Sequence, residues 1–465
     1  MLMKRALERL RHLPRANERF NIFNSVNLSA EQQVMPSDKP LGNLVVGIKD
    51  NIVTKKLPTT CSSGVLAGYM SPYDATVVEL LDEAGSVTAG KTNMDEFGMG
   101  SGGIHSFFGP TLNPAFPERP TVAGGSSSGS AAAVAADVVD FSLGTDTGGS
   151  VRMPAAYTST VGFKPSYGRV SRHGVIAYAQ SLDTVGIGAR DVGLVRRVFA
   201  VLDRHDPKDP TSLPDDLRQQ AAAQRREKKH LKIGIPAELL HGSVAAEIRE
   251  QLVGVLDKLQ AQGHELYPVS LPAVKNSLLV YYMLAPAEAA SNLARYDGIR
   301  YGCRDEDLDM SDEVLFAPTR GKFGKEVKNR IVLGNYNLCS GAFKNNYMKA
   351  QKLRVELINQ FDSIFAFENV CTGNKPNPDG VDVLLSLTCM APPPSIEAFT
   401  SKENKSPVNS YINDVFTVPM SLAGLPCISV PLVGMKGVGI QLTAQFADDY
   451  TLLDAAENVM QEQLN

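Results

Sequence analysis

Three short segments carry the residues best suited to chemistry. Val46-Gly47-Ile48-Lys49-Asp50-Asn51 ends an apolar stretch on a lysine. A lysine so placed loses water, and burial disfavours its charged form, so its pKa falls and the neutral amine becomes available as a base. Gly124-Gly125-Ser126-Ser127-Ser128-Gly129-Ser130 supplies closely spaced hydroxyls ahead of an Ala/Val run. Gly144-Thr145-Asp146-Thr147-Gly148-Gly149-Ser150 sets a serine directly after two glycines. Side-chain bulk is absent there, and backbone N–H groups can converge on a developing oxyanion. Each glycine-rich segment, taken alone, reads equally well as a plain turn. Together they offer a base, hydroxyls and a donor turn, with no need of a histidine; the seven histidines are scattered and form no HExxH.

The elements that must hold these segments alternate along the chain. Asn43 to Ile48 reads as a short apolar strand. Thr76 to Ala84 has helical spacing in Val77, Leu80, Leu81 and Ala84, and Ser86 to Ala89 is strand-like again. Ala131 to Val139 reads as a helix opened by the serine loop, and Asp140 to Gly144 as a strand with Phe141 and Leu143 on one face. Such alternation predicts an α/β fold, a sheet covered by helices on both faces. Two proline- and charge-rich stretches, 207–230 and 368–380, read as surface excursions.

Two motifs match familiar patterns in the wrong setting. Gly85-Ser86-Val87-Thr88-Ala89-Gly90-Lys91-Thr92 satisfies GxxxxGK[ST]. A phosphate-cradling loop must follow a strand and open a helix, whereas here a helical pattern precedes Gly85 and the intervening residues read as a buried strand. Gly125-Ser126-Ser127-Ser128-Gly129 satisfies GxSxG, but that elbow needs a strand before it. The prolines of Asn113-Pro114-Ala115-Phe116-Pro117-Glu118-Arg119-Pro120 remove ladder donors and exclude a central strand.

Composition narrows the function classes. The 465 residues balance 46 basic against 50 acidic side chains, a net charge of −4, which argues against nucleic-acid gripping as this chain's own task. The six cysteines form no CxxC pair, so reduced thiols are expected and no zinc site is indicated. No apolar run reaches the ~20 residues needed to span a bilayer. Residues 1–19 are rich in arginine, and Leu2, Ala6, Leu10 and Leu13 mark one face of a short helix that Pro14 is expected to stop. The segment fits an organelle-targeting sequence, except for its acids and its lack of serine, and fits a solvated surface helix equally.

The three chemical segments, extended by Val161-Gly162-Phe163-Lys164-Pro165-Ser166-Tyr167-Gly168-Arg169-Val170-Ser171, resemble the signature of the amidase family. The resemblance implies one large catalytic domain with a mixed sheet over 41–465, after a short basic lead-in over 1–40. It implies that Ser150 is the nucleophile, Ser126 a bridging serine next to a cis peptide bond, and Lys49 the base. The N–H groups of Thr147, Gly148, Gly149 and Ser150 would form the oxyanion hole. Tyr281 to Gly298, Gly324 to Gly334, Asn413-Asp414 and Leu422-Ala423-Gly424-Leu425-Pro426 further resemble the family members that serve as glutaminase subunits of tRNA-dependent amidotransferases.

That closer likeness implies glutamine as substrate, with Tyr281, Arg330 and Asp414 at its amino acid end. An arginine can pair bidentately with an α-carboxylate, and an aspartate can accept from an α-ammonium. Arg330 could instead be a helix charge paired with Glu326, and Asp414 a helix-capping acid. The likeness also implies a tRNA-binding transamidase subunit that holds ATP and magnesium and receives the ammonia, a small third subunit, and no cofactor or metal in this chain. The basic start and the short lead-in before Lys49 resemble the fungal mitochondrial members, so the mitochondrial matrix is the expected location. Ser128 stands where the family usually has glycine; it either takes a strained backbone conformation or hydrogen-bonds within the serine loop. A free-standing amidase acting on another small amide is the alternative.

Overall fold

The computed structural model describes residues 2–225, 228–240, 242–304, 317–406 and 408–464. Its strands are β1 (Phe23–Val26), β2 (Val45–Lys49), β3 (Val87–Thr92), β4 (Phe141–Asp146), β5 (Val161–Lys164), β6 (Thr184–Ala189), β7 (Lys232–Pro236), β8 (Glu265–Val269), β9 (Val383–Leu387), β10 (Cys427–Pro431) and β11 (Gly439–Ala444). They form one sheet in the order β1-β3-β2-β4-β6-β5-β10-β11-β9-β7-β8. β2 runs parallel to both β3 and β4. All five of its residues are buried, as expected of a parallel strand covered on both faces. Helices Ser128–Ala135, Arg152–Tyr157, Val192–Leu202 and Asp449–Leu464 pack on the sheet, giving the mixed α/β architecture of the sequence reading.

The sheet has a seam. β10 and β11 form an antiparallel hairpin; β10 pairs on its other side with β5, and β11 with β9. This late hairpin joins the strands drawn from the first 190 residues to the β9-β7-β8 edge.

At the opposite edge, helix Leu2–Phe20 runs straight through Pro14, where the sequence predicts a stop. An interior proline costs about 3 kcal/mol, but Pro14 faces solvent. The opposite face buries Ala6, Leu10, Leu13 and Ala16 in one cluster with Val45, Val87 and Ala132 to Val134, and each buried leucine contributes about 1.5–3 kcal/mol. Arg9 adds a buried ion pair, its guanidinium 2.5 Å from Asp140 Oδ1 and 2.5 Å from Asp137 Oδ1. The other Asp140 oxygen accepts the Val45 N–H at 2.9 Å, so this helix is tied to the strand that ends on Lys49.

Two further readings are adjusted and two hold. The 207–230 stretch is not all loop: it contains helix Asp215–Gln224, with Leu213 and Ala221 buried and Asp215 and Asp216 in the first turn, where the helix dipole favours acids. Its residues 226 and 227 lie outside the described part. The 368–380 stretch is a loop, pinned by Asn369, Thr372 and Asn374 to the carboxylate of Asp362. The helix after the serine loop starts earlier than expected, at Ser128, and ends at Ala135, just before Asp137 at φ 58°. The GxxxxGK[ST] match is strand β3; Lys91 is buried 2.7 Å from Thr59 Oγ1 and 3.5 Å from Asp50. Among the described residues no helix is long and apolar enough to cross a membrane.

Candidate active site

Lys49 ends β2 inside the protein, with no exposed surface. Its Nζ lies 2.8 Å from Ser126 Oγ, 2.8 Å from Ser127 Oγ, 2.9 Å from Thr145 Oγ1 and 3.2 Å from the Thr145 carbonyl. Desolvation pulls its pKa from 10.5 down to about 7, against the opposing pull of Asp95, Asp146 and Asp183. Near neutrality a substantial fraction is therefore the free amine, which can take a proton from a serine hydroxyl.

The serine loop reaches Lys49 because its backbone passes very close to other chain segments. The Gly125–Ser126 peptide bond is cis. A Cβ on Gly125 would run into the carboxylate of Asp95, which itself accepts the N–H groups of Gly103 at 3.0 Å and His105 at 2.9 Å. Ser128 opens the following helix with no positive φ, and its hydroxyl donates to Thr111 Oγ1 at 3.1 Å. No strained backbone is required, and the hydrogen bond that this serine makes goes to Thr111, outside the serine loop rather than within it.

Ser150 lies beyond the end of β4. Its carbonyl accepts the Ser127 N–H at 3.1 Å, which sets it against the serine loop. Lys49 and Ser126 are at most 1% exposed, whereas Ser150 is partly open. The turn before it is braced from several sides. Thr147 donates to Asp183 at 2.7 Å, and Thr417 Oγ1 donates to the Gly148 carbonyl at 2.6 Å. Gly149 takes φ 141° with Thr417 against it, so that no side chain fits there. Asp146 accepts the Val151 N–H at 3.1 Å and the Arg152 guanidinium at 2.9 Å through each oxygen. Burial opposes its ionisation, yet Arg152 holds the carboxyl at about 2. Among the described residues, the N–H groups of Gly148, Gly149 and Ser150 have no acceptor within the protein, which leaves them available for an oxyanion.

The other candidates form a second cluster beside this turn. Tyr281 is buried, and a Cβ on Gly148 would come within 2.8 Å of its ring. Its ring meets that of Tyr282 edge-on at 5.0 Å. Tyr282 donates to Asp414 at 2.8 Å and stacks on Tyr411 at 3.9 Å between centroids. Arg330, only 4% exposed, pairs with Glu326 at 2.7 Å and donates to Tyr178 OH at 2.8 Å, with its guanidinium over the rings of Tyr178, Tyr282 and Tyr411. Desolvation lifts the Asp414 carboxyl to about 7. A buried fixed cation and a buried carboxylate joined through one tyrosine form a frame for a zwitterion. Arg330 does pair with Glu326, but inside the protein rather than on a surface. Asp414 caps no helix; it lies within the short turn Ile412–Phe416. No group of three His, Cys, Asp or Glu among the described residues is disposed to hold a metal.

The sequence matches the amidase family, "Amidase", over residues 6–453. The chain belongs to the amidase family. The A subunit of the mitochondrial glutamyl-tRNA(Gln) amidotransferase from Eremothecium gossypii is 96% identical over 463 residues, spanning 100% of both chains. The protein of the same name from Candida albicans is 44% identical over 458 residues, 98% of this chain and 100% of its own. Among solved structures, the A subunit of glutamyl-tRNA(Gln) amidotransferase from Thermotoga maritima is similar with a TM-score of 0.75 and 32% identity, over 97% of this chain and 89% of that one.

The sequence reading of this amidase missed several residues of the site. Thr145 shares strand parity with Phe141 and Leu143, which pair with Val46 and Ile48 rather than with the face of Lys49, so alternation along β4 does not point it at Lys49; the contact forms only where both strands end. Ser127 lay in plain view within the serine run. Tyr178, Tyr411 and Thr417 are brought in only by tertiary contacts, and no local pattern marks them.

Proposed function

We propose that this amidase is the glutaminase subunit of a tRNA-dependent amidotransferase. The observation that carries the chemistry is the buried Lys49, pushed down to about 7 and held 2.8 Å from Ser126. Neutral Lys49 takes the Ser126 proton while Ser126 takes that of Ser150, whose oxygen attacks the side-chain amide carbon of glutamine. Charge developing on the carbonyl oxygen is received by the N–H groups of the Thr147–Ser150 turn. As the C–N bond breaks, the proton returns through Ser126 to nitrogen and ammonia leaves. Water then attacks the glutamyl ester of Ser150 with the same relay as base, giving glutamate and the free serine. Arg330 receives the α-carboxylate of glutamine and Asp414 its α-ammonium, with Tyr281 between them and the donor turn.

Its likeness to the mitochondrial amidotransferase relatives supports a role in forming Gln-tRNA(Gln) in mitochondria. The ammonia passes to a partner subunit that binds the tRNA and uses ATP and magnesium to activate the misacylated glutamate, in a complex completed by a small third subunit. The small net charge suits this division of labour, because the phosphates are the partner's concern.

The test is Ser150→Ala in the assembled complex. Glutamine-dependent transamidation is expected to vanish while ammonia-dependent transamidation persists; loss of both, or retention of both, contradicts the assignment.

A further inference from the structure

Thr417 sits where the two halves of the site meet, and its contacts are unusual for a residue with no assigned task. It is fully buried at the end of the turn Ile412–Phe416, the segment that carries Asp414. Its backbone N–H donates to the Asp414 carbonyl at 3.1 Å, and its own carbonyl accepts Arg152 at 3.0 Å. Arg152 also holds Asp146, Gln441 and Ser421, so Thr417 is fixed at both ends. What is left is its hydroxyl, which has two carbonyls in reach, that of Asp414 at 3.3 Å and that of Gly148 at 2.6 Å, and the much shorter contact is the one to Gly148.

A trans peptide unit is planar, with its C=O and N–H pointing in opposite directions. The Gly148–Gly149 unit is trans, since the cis bond of this chain among the described residues is Gly125–Ser126. Drawing the Gly148 oxygen to Thr417 therefore turns the Gly149 N–H away from Thr417, and that N–H has no acceptor within the protein. Without such an anchor this peptide plane is among the easiest in the chain to rotate, because glycine stands on both sides of it.

We propose that Thr417 is a positioning residue for the oxyanion hole. Its hydroxyl fixes the Gly148–Gly149 peptide plane so that the Gly149 N–H is presented to the reacting carbonyl oxygen, and it does so from the segment that carries Asp414. The inference rests on the glutaminase reading above. Thr417 does not touch the substrate; it acts through the turn.

The experiment compares Thr417→Val, which keeps the shape and removes the hydroxyl, with Thr417→Ser, which keeps the hydroxyl. Both are assayed in the full complex for glutamine hydrolysis and for ammonia-dependent transamidation. Losing one preorganised donor costs on the order of 10²–10³ in kcat. Thr417→Val is expected to lower kcat by at least about tenfold with KM for glutamine changed by less than about threefold, and Thr417→Ser to stay within about threefold of the parent in both. Ammonia-dependent transamidation reports that the complex has assembled. An unchanged kcat in Thr417→Val, a change confined to KM, or a serine variant as impaired as the valine one overturns the proposal. If Thr417→Val does not assemble, the smaller Thr417→Ala takes its place, and failure of both marks the hydroxyl as structural and overturns the proposal too. A parent complex that ignores glutamine rejects the functional reading instead.

Discussion

Lys49 Nζ stands 2.8 Å from Ser126 Oγ with no water-accessible surface of its own, at the junction of the first sheet strands and the serine loop. Its proton affinity is set by that enclosure rather than by a charged neighbour, since the nearby acids Asp95, Asp146 and Asp183 all act to keep it protonated.

The pH dependence follows from this. Below about 7 Lys49 is an ammonium with no lone pair for Ser126, and above it the amine is free. Asp414, also lifted to about 7, is neutral below that point and ionised above it, and only the ionised form can hold an α-ammonium. Both changes favour activity as pH rises, so kcat/KM for glutamine should increase steeply through about pH 7. In Asp414→Asn one of the two titrations is gone, and the acid limb should become about half as steep. Initial-rate profiles of the two complexes check this; a parent profile that is flat through neutrality would contradict it.

Gly149→Ala should be among the most damaging small substitutions. A methyl group there meets Thr417, and φ 141° disfavours any side chain. The turn must shift, and the donors it presents shift with it. We expect kcat for glutamine hydrolysis to fall at least about a hundredfold, the scale of a lost oxyanion donor, together with a lower thermal midpoint.

Arg330→Lys keeps the charge but loses the planar fork that serves Glu326 and Tyr178, and with it the bidentate geometry proposed for the α-carboxylate of glutamine. The predicted effect is a rise in KM for glutamine of roughly 10–100-fold, in line with about 1.5–3 kcal/mol for a hydrogen bond to a charged group. Steady-state kinetics on the complex decide it: an unaltered KM means that the arginine serves packing alone.

Arg9→Ala tests whether the first helix supports the site from a distance. It leaves Asp140 as a buried carboxylate without its 2.5 Å partner, which by analogy with other broken buried pairs costs about 3–5 kcal/mol. Denaturant unfolding should register the loss, and Asp140→Asn in the same chain should recover part of it, since the buried charge, left with only the more distant Arg5 at 3.9 Å, is then gone. Equal stability of Arg9→Ala and the parent would show that the helix is merely laid on the surface.

Much of the site was legible because its chemistry is local. Lys49 ends an apolar run, and Ser126 and Ser150 sit in glycine-rich turns whose composition reports how tightly the backbone must pass. The wrong setting of the GxxxxGK[ST] match was legible too, from the helical pattern ahead of Gly85. What escaped is what depends on packing between remote segments. Pro14 punctuates the sequence but not the helix, because its ring lies on the solvent side and the buried face outweighs a local penalty. The helix Asp215–Gln224 was hidden inside a charge-rich stretch, with Ala221 its one fully buried residue. Arg330 and Glu326 were recognised as neighbours by their spacing, but nothing in that spacing says that the pair is buried under three tyrosines.

The hairpin of β10 and β11 has a consequence for how this amidase is made. Until residues 427–444 emerge, a nascent or incoming chain holds two separate pieces of sheet, one ending on an open β5 and the other on an open β9. Unpaired strand edges of that kind invite pairing with other chains, and such long-range closure is slow. A chain cut short before the hairpin is thus an aggregation hazard with its lysine and serines already made. The demand for protection during synthesis or import falls on the last tenth of the sequence rather than on the catalytic segments.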